Sequence, residues 1–132
     1  MSFDELRGKR ILITGASTGI GAALARRLGG FGARVGVHYN ASRDAAEQVA
    51  ADVRAAGGDA QLLTGDVRDP AAVTRLIDEF ADAQGGLDVL VCNAGDMGGR
   101  SRMEDVDDAL YDHVMDLNAR SVFASARAAI PR

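Results

Sequence analysis

Only one of the 132 residues is a cysteine, Cys92, and only one is a lysine, Lys9. A single cysteine excludes an intrachain disulfide and suits a reducing cytosol, so a cytoplasmic protein is expected. Aromatic residues make up 5% of the chain, so its core must be built from Ala, Val, Leu and Ile. The basic residues are almost all arginines, with no run or cluster among them, and the net charge is −4. That balance argues against nucleic acid and anionic membrane surfaces as partners. No apolar run approaches membrane-spanning length. The opening Met1–Glu5 is acidic and lacks the basic and apolar regions of a secretory leader. The two histidines, His38 and His113, have no partners at metal-ligand spacing, and no calcium-loop pattern occurs, so no metal site is expected; both read as structural or exposed. What the chain does have is 47% hydrophobic and 26% charged residues, enough apolar material for the core of one soluble domain.

The most informative stretch runs from Arg10 to Gly21. Ile11, Leu12 and Ile13 form an apolar run short enough for a buried strand. Gly15, Gly19 and Gly21 follow, and Ala22–Leu28 reads as a helix. A strand, a glycine turn and a helix in that order make an anion site, because the first N–H groups of a helix are unpaired and carry partial positive charge. Gly15 would allow the tight turn, Gly19 the approach of a pyrophosphate, and Gly21 close packing of helix on strand. The spacing is G-x-x-x-G-x-G rather than the commoner G-x-G-x-x-G, and no Lys-Ser or Lys-Thr follows it as in a P-loop.

The rest of the chain alternates in the same way. Ile20, Leu24, Leu28 and Phe31 would make the apolar face of the first helix. A second strand is expected over 34–39. A helix over about 44–56 should follow, with Ser42 as N-cap and Gly57–Gly58 as its stop. A third strand spans 59–64. Asp69 should cap a third helix with Pro70 at its first position, and Val73, Leu76, Ile77 and Phe80 as its apolar stripe. A fourth strand is expected over 87–92, and a long helical run from about Asp108 to near Pro131, its start complemented by Asp105, Asp107 and Asp108. Alternating strands and helices imply an α/β Rossmann-like fold: a doubly wound parallel sheet of order 3-2-1-4 within a three-layer sandwich. On such sheets ligands bind at the carboxyl ends of the strands. The glycine turn, Tyr39–Asn40, Asp66 and Asn93–Gly95 all fall there.

With these residues placed, the chain resembles the short-chain dehydrogenase/reductase family. The segment Thr14–Gly21 resembles its cofactor signature. Asp66–Val67 stands where the family places an Asp-Val that meets the adenine. Cys92–Gly95 resembles its Asn-Asn-Ala-Gly turn, and Asn118 the catalytic asparagine that interrupts the following helix. The likeness spans residues 10–118. It implies that Gly15, Ser17, Thr18, Gly19, Ile20 and Gly21 surround a pyrophosphate, that Asp66 and Val67 seat the adenine, and that Asn93, Ala94 and Gly95 lie along the ribose. The bland readings are a turn cap for Asp66 and a helix cap or kink for Asn118. Cys92, which replaces the first Asn of the turn, reads as a small buried residue rather than a reactive thiol. Tyr39 ends the second strand where a carboxylate would bind the ribose 2′-OH of NAD. Nothing there would repel a 2′-phosphate, and Asn40, Ser42 and Arg43 could bind one, so NADP(H) is favoured over NAD(H), although Thr18 replaces a basic residue often found in NADP-using members. The plain alternative for Arg43 is a solvated residue in the first turn of its helix.

The resemblance also implies a carbonyl or alcohol substrate reduced or oxidised by hydride transfer, with a tyrosine as acid/base and a lysine four residues later to lower its pKa. Neither Tyr39 nor Tyr111 is followed by such a lysine, and Lys9 precedes the first strand. The chain is therefore expected to be the amino-terminal half of such an enzyme: an NAD(P)-binding Rossmann domain over 1–132, truncated or incomplete at its carboxyl end and inactive alone. The intact protein is expected to oligomerise. The alternative is a non-catalytic dinucleotide-binding module or pseudoenzyme.

Overall fold

The computed structural model describes residues 3–132; Met1 and Ser2, part of the acidic start considered above, lie outside them. Four parallel strands form one sheet in the order β3-β2-β1-β4. They are β1 (Arg10–Ile13), β2 (Arg34–Tyr39), β3 (Asp59–Thr64) and β4 (Val89–Val91). Five α-helices accompany them: α1 (Gly19–Gly30), α2 (Arg43–Ala55), α3 (Pro70–Gln84), α4 (Asp108–Met115) and α5 (Ser121–Ala129). Single 3₁₀ turns occur at Asp4–Leu6 and Met103–Asp105. No helix of the described residues is long and apolar enough to cross a membrane.

The sheet separates two cores. Ile11 and Ile13 of β1 and Val35, Val37 and Tyr39 of β2 face α1 and α2, where Ala25, Leu28, Val49 and Val53 are buried. Leu12 and Leu63 face the other way, onto Val73, Leu76, Ile77 and Phe80 of α3 and Ala124 of α5. The period-two alternation of a strand buried on both faces thus places α1 and α2 in one outer layer and α3 and α5 in the other. Gly36 makes room for this: a Cβ there would lie 2.6 Å from Leu12 Cδ1 and 3.0 Å from the Phe80 ring.

The ends of α3 and α4 follow their capping chemistry. Asp69 accepts the Ala71 N–H ahead of Pro70, and Gly85 closes α3 in the left-handed conformation. Asp107 accepts the Leu110 N–H at the start of α4. Ser42 occupies the N-cap of α2, but its side chain makes no capping bond.

Three expectations need correction. Ile20 is 81% exposed, not part of the apolar face of α1; the buried face is Gly21, Ala22, Ala25, Leu28 and Gly29, with Leu24 and Phe31 packed at its margin. Ile20 lies in the first turn of α1. The fourth strand is shorter than 87–92, because its ladder runs only alongside Ile11–Ile13 of β1. Cys92, expected to be buried, is exposed, since β4 pairs with β1 on one side only. The long helical run is interrupted at Asn118, where the resemblance implied a break, by a π turn, Asp116–Arg120, between α4 and α5.

Candidate functional site

The turn after β1 is held by three side chains. Gly15 adopts φ +65°, and a Cβ there would meet Ala94 Cα at 2.9 Å, so both conformation and space require glycine. Thr14 Oγ1 accepts the N–H groups of Asn93 and Ala94, each at 3.0 Å. Asn93 Nδ2 donates back to the carbonyls of Thr14 and Gly15, each at 3.0 Å. These bonds tie the carboxyl ends of β1 and β4 together. From the other side, His38 at the end of β2 accepts the Gly15 N–H on Nδ1 at 3.0 Å. Its Nε2 stands 2.8 Å from the Gly65 carbonyl. Gly21 lies beneath the turn, where any side chain would strike the Gly15 carbonyl and Asn93.

The strand ends and these loops enclose a cleft of about 560 Å³, within the size range of pockets that hold a small organic cofactor. Gly15, Ser17, Thr18, Gly19 and Ile20 line one wall; Tyr39, Asn40 and Ser42 line another; Asp66, Val67, Asn93, Ala94 and Gly95 complete it. Of the site residues expected from sequence, the lining leaves out Gly21, Arg43 and Asn118. Arg43 turns to Glu47 on the surface of α2, 2.8 Å away. Asn118 sits in the π turn, where Nδ2 donates to the carbonyls of Val114 (2.8 Å) and Asp96 (2.7 Å). It therefore fastens the loop after β4 to the interrupted helix, and a side chain on Gly95 would collide with its Oδ1.

The cleft also collects residues that sequence patterns did not single out. Arg68 clasps the Asp66 carboxylate, with Nη2 to Oδ2 at 2.6 Å, and reaches His113 Nδ1 at 3.0 Å. His113 Nε2 in turn lies 3.6 Å from Asp96 Oδ1. The Arg68 guanidinium holds the Asp66 carboxyl below its ordinary range. Burial pushes the His38 ring below its ordinary pKa, and burial raises the Cys92 thiol. The Arg68–His113 contact joins the loop after β3 to α4, which no local motif encodes. His38 had a faint signal: a polar residue at the end of an otherwise apolar strand buried on both faces.

Electrostatically, the anion-facing parts are backbone N–H groups. The first bond within α1 is Ala22 N–H to Thr18 O at 3.2 Å, so the N–H groups of Gly19, Ile20 and Gly21 precede it. The N-cap residue Thr18 makes no side-chain capping bond that would occupy them. Gly19 has φ +56° and nothing within 4 Å of where its Cβ would be. An anion can approach this backbone directly.

Solved structures share this fold. An NADH-dependent reductase, A1-R′, responsible for alginate metabolism and solved in complex with NAD, superposes at TM-score 0.93 with 44% identity, over 98% of this chain and 54% of that one. A short chain dehydrogenase from Burkholderia cenocepacia in complex with NADP superposes at TM-score 0.92 with 40% identity, over 96% of this chain and 51% of that one. Among curated proteins, versicolorin reductase of Emericella nidulans is 44% identical over 125 residues, 95% of this chain and 47% of its own length. The 3beta-hydroxysteroid dehydrogenase 1 of Eggerthella lenta is 35% identical over 129 residues, 97% of this chain and 49% of its own. The chain thus spans about half the length of these relatives. The short chain dehydrogenase profile matches residues 9–132, and the chain belongs to that family.

Proposed function

We propose that this chain forms the cofactor-binding half of an NADP(H)-dependent oxidoreductase that acts on the carbonyl or alcohol group of a small molecule. The observation that supports this reading best is the convergence of the glycine turn, Tyr39–Ser42, Asp66–Val67 and Asn93–Gly95 on one cleft. The residues present fit a dinucleotide: the bare backbone at Gly19 admits a pyrophosphate to the N-terminus of α1. Gly15, Ser17, Thr18, Gly19, Ile20 and Gly21 would hold it. Asp66 and Val67 would seat the adenine, and Asn93, Ala94 and Gly95 would support the ribose. A nicotinamide cofactor supplies the hydride. Asn118 is the catalytic residue this chain would contribute.

The preference for NADP(H) over NAD(H) rests on β2. It ends in Tyr39, 9% exposed and neutral, so no carboxylate repels a 2′-phosphate. Asn40 and Ser42 are at hand, and Arg43 is held only by an exposed i,i+4 pair with Glu47, a kind of pair that solvent screens and that contributes little. It can be released to a phosphate at little cost. Arg43→Ala is expected to weaken NADPH binding about tenfold and leave NADH binding unchanged; equal loss for both cofactors would refute the role.

The acid/base pair, a tyrosine followed by lysine at the fourth position, is proposed to lie in sequence that continues past Arg132. The same continuation would pair with β4 and build the substrate pocket. The intact protein is proposed to work in the cytoplasm and to oligomerise through the helical run from α4 to α5, where Tyr111, Met115, Val122 and Phe123 are exposed. Sequencing the gene past codon 132 tests the continuation, and a stop codon there would remove it. Titrating the purified chain with NADPH and NADH tests the cofactor: saturable binding, tighter for NADPH, with no turnover of a carbonyl panel, is expected. Absence of binding refutes the reading.

A second reading, a dinucleotide-binding module without catalysis, is favoured by Lys9. The only lysine lies at the amino end of β1, opposite the cleft. An open reading frame that ends at Arg132 would support this module.

A further inference from the structure

We propose that His38 is a positioning residue of the cofactor site, whose ring holds the glycine turn in its receptive shape only while neutral. This rests on the reading of the cleft as a dinucleotide site. The ring is 2% exposed and lies between two loops. The Gly15 N–H points at Nδ1 from 3.0 Å, so Nδ1 must be the unprotonated nitrogen. The Gly65 carbonyl lies 2.8 Å from Nε2, so Nε2 must carry the hydrogen. The two partners leave one tautomer. The His38 carbonyl adds a third bond, accepting the Ala16 N–H at 2.8 Å.

Residue 38 therefore takes up the first two N–H groups of the turn, those of Gly15 and Ala16. The donors left facing the cleft are those farther along, at the start of α1. A proton on Nδ1 would set two donors against each other at the Gly15 contact. Gly15 could keep its N–H satisfied only by turning, and Asn93 and Ala94 are packed against it. Strain at that point passes directly into the backbone that would face a pyrophosphate.

The surroundings bear on when this happens. Burial disfavours the proton, while the Gly65 bond and the charge of Asp66 favour it. Tyr39 follows the ring on β2, and Asp69 caps α3 after the same loop as Asp66. Arg68, Asp96 and His113 lie around the cleft. The glycine turn from Thr14 to Ile20 brings no titratable side chain.

Two variants separate the two nitrogens. Asn places its amide oxygen near the position of Nδ1 and has no titration in this range. Gln places its amide nitrogen near Nε2 and leaves the Gly15 N–H without its partner. NADPH binding by fluorescence titration of the 132-residue chain is expected to weaken about fivefold or more for the native protein as pH falls below the ordinary imidazole range and the buried ring, whose pKa is lowered, takes its proton. His38→Asn should bind within about twofold of native at the upper pH and weaken less on acidification, and His38→Gln should bind poorly at both. Asp66, Arg68, Asp96 and His113, like the 2′-phosphate, are common to all three and cancel in the comparison. An equal loss with pH in native and His38→Asn protein, or Gln performing as well as Asn, would overturn the proposal.

A ligand-free readout stands beside these. In a long-range proton–nitrogen spectrum of the native chain, His38 should show the Nε2–H tautomer, and the Gly15 amide should shift with the ring's titration. The opposite tautomer, or a Gly15 amide indifferent to the ring, overturns the lock whether or not the variants fold. Failure of the native chain to bind NADPH at any pH overturns the cofactor reading instead, while the spectrum still decides the lock.

Discussion

Two side chains connect the ends of strands that the backbone ladder no longer holds. Thr14 accepts from two N–H groups of the turn after β4, and Asn93 donates to two carbonyls of the turn after β1. Asn93→Ala removes both donations and leaves two part-buried carbonyls without them. A loss of about 1–3 kcal/mol is expected in denaturant unfolding, together with weaker cofactor binding. His38 makes stability depend on pH with a defined sign. Its ring pKa is lowered on folding, chiefly by burial. Below the unfolded-state value of about 6.5 the unfolded chain takes up the proton first, so the ring's contribution is full above that pH and is lost as pH falls through the folded-state value. Native protein should therefore lose unfolding free energy over that window relative to His38→Asn. Position 38 was legible as a strand residue; its bonding was not, because Gly15 and Gly65 lie 23 and 27 residues away in sequence.

Most elements follow from local chemistry. Asp69–Pro70 starts α3 and Gly85 stops it, as capping and conformational preference require. Asp69→Ala is expected to cost about 1 kcal/mol by thermal or chemical unfolding. The apolar stripe of α3 was also plain, since its period matches the helix and all four of its residues are buried. Two features were less so. Gly36 reads as a weakness within a strand, yet it is where Leu12 and Phe80 close over β2. Gly36→Val should destabilise the fold by about 1–3 kcal/mol through overpacking, despite the better strand propensity of valine. The second is the break at Asn118. The family resemblance suggested an interruption, and the physical form of it is a π turn in which the side chain bonds the Val114 carbonyl four residues back.

At the scale of the molecule, the sheet has two edges of different character. The outer edge of β3 carries Asp59, Gln61 and Thr64, with Gln61 bonded to Gln84 of α3. The outer edge of β4 is apolar: Val89 is 40% exposed, Ile130 is 84% exposed beyond the end of α5, and Cys92 opens onto the same side. An apolar edge strand with unpaired backbone groups invites pairing. The chain is expected to self-associate as its concentration rises in sedimentation velocity, and Val89→Lys to suppress this without loss of NADPH binding, since position 89 is at the far end of β4 from the cleft.

The sequence by itself determined the alternation of elements and the glycine turn, because hydrophobic period, caps and glycine conformation act over a few residues, and the strand order followed from that alternation with right-handed crossovers. It also placed Tyr39, Asp66 and Asn93 at strand ends, since a parallel sheet brings all such ends to one edge. The tertiary structure decided which of those residues turn into the cleft and which hold it together. Asn93 turns to the carbonyls of β1, Asp66 to Arg68, and His38 to the Gly15 amide. Ile20 stays exposed, at the rim of the cleft. The Asn93 and His38 contacts join segments far apart in the chain, which only the packed sheet and its helices bring together, whereas the Asp66–Arg68 pair is local.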